Sequence, residues 1–124
     1  MEPRRAERLS EALREELAEM IEYELQDPRL SGVTVTEARL VPDGRHLLVT
    51  VAVKGNAAER QIAVEALGHA AGYLRRVVGI RLRLFRTPEI HFQAADPAGD
   101  RIGELLDRIR KNREKTEKKA ANEP

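Results

Sequence analysis

The chain has 124 residues, 41% of them hydrophobic and 35% charged, with a net charge of +1 and no cysteine. That length allows one domain and one core, and without cysteine there is no disulfide, thiolate chemistry or cysteine-based zinc site, which fits a reducing cytoplasm. No apolar run approaches about 18 residues, and charge begins at once with Glu2, Arg4 and Arg5, so neither a membrane span nor a signal peptide is expected.

Pro3 suits a first helical turn, and Leu9, Leu13, Leu17, Met20, Ile21 and Leu25 form one apolar stripe, which predicts a helix over residues 4–26 ended by Pro28. Val33 and Val35 alternate, but Ala38 and Leu40 fall on the other parity, so a bulge is expected near Glu37. Pro42-Asp43-Gly44 is a tight turn leading to Leu47, Val49, Val51 and Val53. Two antiparallel strands follow, over 33–41 and 46–54. Asn56 and Glu59 have the spacing of a capping box. Ile62, Ala63, Ala66, Leu67, Ala70, Leu74, Val77 and Val78 then recur at helical spacing. A glycine inside a helix costs about 1 kcal/mol against alanine, so Ala70-Ala71-Gly72 reads as a kink that divides two helices, the second ending near Gly79. Gly68-x-x-x-Gly72 reads as a close helix contact. Leu82, Leu84, Ile90 and Phe92 share one parity and predict a third strand, at an edge, bulged or interrupted where Pro88 lacks an N–H. Asp96-Pro97 opens a last amphipathic helix carrying Ile102, Leu105, Leu106 and Ile109. The expected organisation is a domain over residues 1–110 and a basic, disordered tail over 111–124.

The order α-β-β-α-kink-α-β, an α+β arrangement with an added C-terminal helix, resembles a KH domain of type II topology. KH modules hold nucleic-acid backbone at a G-x-x-G loop, and no such motif occurs here; the matching position reads Ala70-Ala71-Gly72. With Glu24-Leu25-Gln26-Asp27-Pro28-Arg29, Ala71-Gly72-Tyr73-Leu74-Arg75, Leu82-Arg83-Leu84, Thr87-Pro88-Glu89-Ile90-His91-Phe92 and Asp96, the chain is similar to the ribosome-binding factor A family over about residues 4–110. One departure is a valine-rich second strand. The resemblance implies a cytoplasmic, monomeric, non-enzymatic, RNA-binding factor in ribosome biogenesis. Such a factor binds the free small (30S) subunit, acts on rRNA processing at the 16S 5′ end near its 5′-terminal helix, and is linked to growth in the cold. It is released in some cases with the help of an assembly GTPase, and neither a cofactor nor a membrane is implied.

The charge is unevenly spread. Residues 1–30 hold five basic and nine acidic side chains, residues 73–93 five and one, and residues 108–124 seven and three. Each run is either an oriented electrostatic surface or a plain solvated face. Arg75 and Arg76 follow the glycine about 100° apart on a helix, so at least one is exposed; arginine's fork suits phosphate. Arg81 and Arg83 lie on the parity opposite Leu82 and Leu84 and complete the candidate RNA-binding set with Arg4, Arg5 and Arg8. Arg86 reads as a strand-end or paired residue, Arg29 as a structural residue pairing with Asp27 or with a helix C-terminus, and Lys111, Lys115, Lys118 and Lys119 as nonspecific attraction. His46, His69 and His91 read as isolated, with no carboxylate at metal spacing, so no metal site is expected. Nothing resembles a catalytic constellation or P-loop. With only four aromatic residues, Tyr23, Tyr73, Phe85 and Phe92, backbone and shape should dominate over base stacking. An RNA-binding factor and a KH-like protein-interaction module without direct RNA contact both fit these residues.

Overall fold

The computed structural model describes residues 2–95 together with Ile109. The predicted final helix, apart from that one residue, and the predicted tail lie outside them. Helix α1 spans Pro3–Glu19 and buries Leu13 and Leu17. Its last turn widens into a π-helical turn, Met20–Glu24, closed by the Leu25 N–H donating to the Met20 carbonyl at 2.7 Å. Met20 and Ile21 are both buried in the core. The helix therefore stops two residues before the predicted end, and Pro28 opens a 3-10 turn, Pro28–Leu30, instead of closing a helix. Asp27 caps that turn by accepting the Arg29 N–H at 2.9 Å and pairs with the Arg29 guanidinium at 2.6 Å. Arg29 is thus the structural partner expected, and its guanidinium holds the Asp27 carboxyl below its ordinary value.

Strands β1 (Val33–Leu40) and β2 (His46–Val53) pair antiparallel. Val35 faces Val51 while Glu37 faces Thr50, leaving Thr36 as the extra residue. This is the bulge that the parity change requires: the buried positions switch from Val33 and Val35 to Leu40. The connecting turn is closed by Gly44 N–H to Val41 carbonyl at 2.8 Å. Pro42 and Asp43 occupy its middle, and Gly44 follows at a φ of 73° that an L side chain resists.

Helix α2 runs Ala57–Arg81 under a complete Asn56/Glu59 capping box. Helical structure passes unbroken through Ala70, Ala71 and Gly72, so the expected pair of helices is one element of 25 residues. A Cβ at Gly68 or Gly72 would meet nothing within 4 Å, which removes the close contact expected of that pair. The tight glycine is Gly79, where a Cβ would collide with Thr87 Oγ1.

Strand β3 is shorter than predicted, Glu89–Ala94. Leu82 and Leu84 belong to the preceding loop and rest half-buried on the core. The reason is a helix stop that overrides the alternating pattern. The Leu84 N–H bonds to the Gly79 carbonyl at 2.9 Å and the Arg83 N–H to the Ile80 carbonyl at 3.2 Å. Arg83 sits between them at a φ of 54°. That bond pattern is a Schellman cap with arginine where glycine is usual. The sheet order is β1-β2-β3, and β3 pairs parallel to β2. Both helices contribute to one core with the sheet, in which Leu13, Leu17, Leu47, Val49, Val51, Leu67, Leu74 and Val78 are fully buried.

Candidate nucleic-acid interface

Three connections converge where β2 and β3 begin. The β1–β2 turn is tied to the start of β3 by the Glu89 N–H donating to the Arg45 carbonyl at 2.8 Å. The 82–88 loop is tied to α2 by Arg75, whose Nε and Nη2 donate to the Thr87 carbonyl at 3.1 and 2.9 Å. Ser10 accepts the Leu40 N–H at 3.1 Å and so docks α1 at the same end of the sheet. Between them lies an open groove whose walls include Arg45, Arg75, Arg76, Arg86, Phe85 and Gly72. Among the described residues no ion pair reaches any of those four arginines. Asp43 and Glu89 also line the groove, but Asp43 Oδ1 is already engaged by the Arg45 N–H at 2.8 Å.

The predicted cations separate into three groups. Arg75 and Arg76 are in the groove, and Arg76 lies over the Tyr73 ring at 5.8 Å, a contact that steadies it without neutralising it. Arg81 is not available. Its Nη1 and Nη2 each reach a Glu24 carboxylate oxygen at 2.8 Å, with Glu16 at 3.5 Å. Those acids hold the Arg81 guanidinium far above its ordinary value, hydrogen bonding to Glu24 being the main cause. The acidic face of α1 is thus in part the anchor of the α2 C-terminus. Arg4, Arg5, Arg8 and Arg83 are exposed and line neither the groove nor, among the described residues, any ion pair.

Three groove residues lie outside the expected set: Arg45, in the β1–β2 turn, and Arg86 and Phe85, which share one reason. Treating 82–92 as a strand put Arg86 on the apolar parity and hid Phe85, whereas both are exposed, Phe85 completely. Pro88 was the signal that the strand starts late. The histidines also need correcting. His46 Nδ1 and His91 Nε2 are 3.0 Å apart, and Glu89 lies beside them, because parallel pairing joins elements distant in sequence. Burial pushes the His91 imidazole below its ordinary value, with Glu89 opposing and His46 reinforcing.

The described residues thus form a small α+β domain with a basic groove at one end of a three-stranded sheet. A family model described as Ribosome-binding factor A matches residues 5–106. The ribosome-binding factor A of Solibacter usitatus is 43% identical over 120 residues, 94% of this chain and 97% of that protein. That of Alkalilimnicola ehrlichii is 44% identical over 106 residues, 83% and 82% of the two chains. The crystal structure of the Thermus thermophilus factor superposes with a TM-score of 0.66 at 34% identity, covering 74% of this chain and 99% of that one. A homology model of the Thermus thermophilus factor, fitted into a cryo-EM map of its 30S complex, gives a TM-score of 0.58 at 32% identity over 77% and 96%. The chain belongs to the ribosome-binding factor A family.

Proposed function

We propose that this protein binds the free small ribosomal subunit through the groove, holding 16S rRNA near its 5′-terminal helix while the 5′ end matures. It works in the cytoplasm as a monomer on a KH-like type II scaffold. No chemical step is involved: occupancy of the site keeps rRNA segments in one arrangement, supports assembly in the cold, and ends on release, with an assembly GTPase as the class of protein that would drive it. The observation that carries this reading is the convergence of Arg45, Arg75, Arg76 and Arg86, from three different elements, on one open groove. Guanidinium groups held apart on a rigid frame suit successive phosphates. The Thermus thermophilus factor, similar in fold, is the one fitted into a 30S complex.

Arg4, Arg5 and Arg8 on α1 and Arg83 at the α2 cap would add phosphate contacts outside the groove. Arg81 is assigned to scaffold. The test is cosedimentation with free small subunits. Replacing Arg45, Arg76 and Arg86 together with glutamate should abolish it without changing the far-ultraviolet dichroism. Arg81→Ala should cosediment like the parent protein. Equal binding by the triple variant would discard the groove, and binding that survives ribonuclease would turn the reading to a protein-interaction module.

A further inference from the structure

His46 opens β2 and His91 lies within β3, and the register that sets His46 beside Glu89 and Leu48 beside His91 brings three potential ligands together. The two ring nitrogens are 3.0 Å apart, the ring centroids 5.2 Å apart and the planes tilted by 42°. Glu89 Oε2 is 3.9 Å from His46 Nδ1, and one ligand atom from each residue lies within 4.8 Å of the other two. The His46 side chain is 14% exposed and that of Glu89 58%, so imidazoles backed by the sheet are joined by a carboxylate open to solvent.

Two imidazole nitrogens at this distance share either a proton or a cation. A tetrahedral zinc ion with bonds of about 2.0–2.2 Å sets its ligand atoms about 3.4 Å apart, and the observed 3.0 and 3.9 Å lie on either side of that spacing. The third separation, between Glu89 and His91, lies within 4.8 Å, so closing around an ion requires the exposed Glu89 side chain to turn inward. We infer that His46, His91 and Glu89 form a binding site for a divalent transition-metal ion, with Zn2+ the best match. Two imidazoles and one carboxylate select borderline ions over Mg2+ and Ca2+, which favour oxygen ligands. Three protein ligands leave a further position for water or another oxygen donor. All three residues line the groove that carries Arg45, Arg75 and Arg86, so a bound ion would add positive charge to its wall and lock the first residues of β2 and β3 together. The site stands independently of the RNA reading, because its ligands and its test involve no RNA.

The experiment uses full-length protein without a histidine tag. Titration with Co2+ followed by visible absorption reports the coordination geometry, and competition with Zn2+ reports the affinity. Zn2+ is expected to bind at one ion per chain in the micromolar range or tighter, to raise the melting temperature, and to lose both effects on chelation. His46→Asn and His91→Asn should each weaken binding about tenfold or more, consistent with the cost of disturbing a metal's surroundings. Glu89→Gln, at an exposed side chain that leaves the core untouched, should also weaken it and serves if a histidine variant fails to fold. His69→Asn changes the only other histidine and should bind like the parent protein. No absorption change with Co2+ and no thermal shift with Zn2+ would overturn the assignment. So would binding that Glu89→Gln and His91→Asn leave intact, or that His69→Asn removes.

Discussion

Arg83 occupies a backbone conformation that glycine adopts freely and arginine resists. At the C′ position of a Schellman cap, φ is 54°, and an L residue there costs about 1 kcal/mol. Arg83→Gly is therefore expected to stabilise the protein by about 1 kcal/mol in urea unfolding. If the guanidinium contacts rRNA, the same substitution weakens subunit binding, so stability and binding move in opposite directions. Gly79 is the reverse case. Its missing side chain leaves room for Thr87, whose carbonyl anchors Arg75. Gly79→Ala should cost about 1–3 kcal/mol by overpacking, whereas Gly72→Ala, facing open space, should stabilise by up to about 1 kcal/mol. Thermal or urea unfolding of the two variants reads the difference directly, and the opposite order would mean that the tight glycine is Gly72 after all.

At the scale of elements, α2 carries both the apolar stripe facing the sheet and the cations facing the groove, and its C-terminal end is held to α1 by Arg81 with Glu24 and Glu16. Hydrogen bonds from Arg81 hold the Glu24 carboxyl below its ordinary value. A carboxylate with a depressed folded value contributes stability that is present above the unfolded value of about 4.5 and disappears as pH falls through the folded one. The melting temperature of Glu24→Gln should thus lie slightly below that of the parent at neutral pH, and the two should converge as the pH falls and the Glu24 carboxyl takes up its proton. The pair is solvent-exposed, so the gap should also shrink with salt. The bulge in β1 and the capping box of α2 were legible beforehand because each is written in a few neighbouring residues. The late start of β3 was marked only by Pro88, because the local alternation of leucine and arginine competes with a helix cap whose bonds form only once α2 extends to residue 81.

At the scale of the whole molecule, the charge that the described residues carry is unevenly placed. The acids of α1 serve in part as anchors for Arg81, while the arginines of the groove face outward. Affinity for the small subunit should fall linearly with the logarithm of salt concentration, and each groove arginine lost should reduce the slope by about 0.7–0.9. Binding isotherms at several salt concentrations check this; a slope unaltered by Arg45→Ala and Arg86→Ala would place the contact elsewhere.

The sequence alone determined the first helix, the order of the strands along the chain, the bulge, the Asn56/Glu59 capping box and the family, since periodicity, turn chemistry and short ordered segments are properties of neighbouring residues, but it divided α2 in two at Gly72. It could not determine which arginines remain free or which histidines meet. Arg81 meets Glu24 across 57 positions and His46 meets His91 across 45. Contacts of that span exist only after sheet register and helix docking are set, which is why the tertiary structure decided the groove and the side chains that line it.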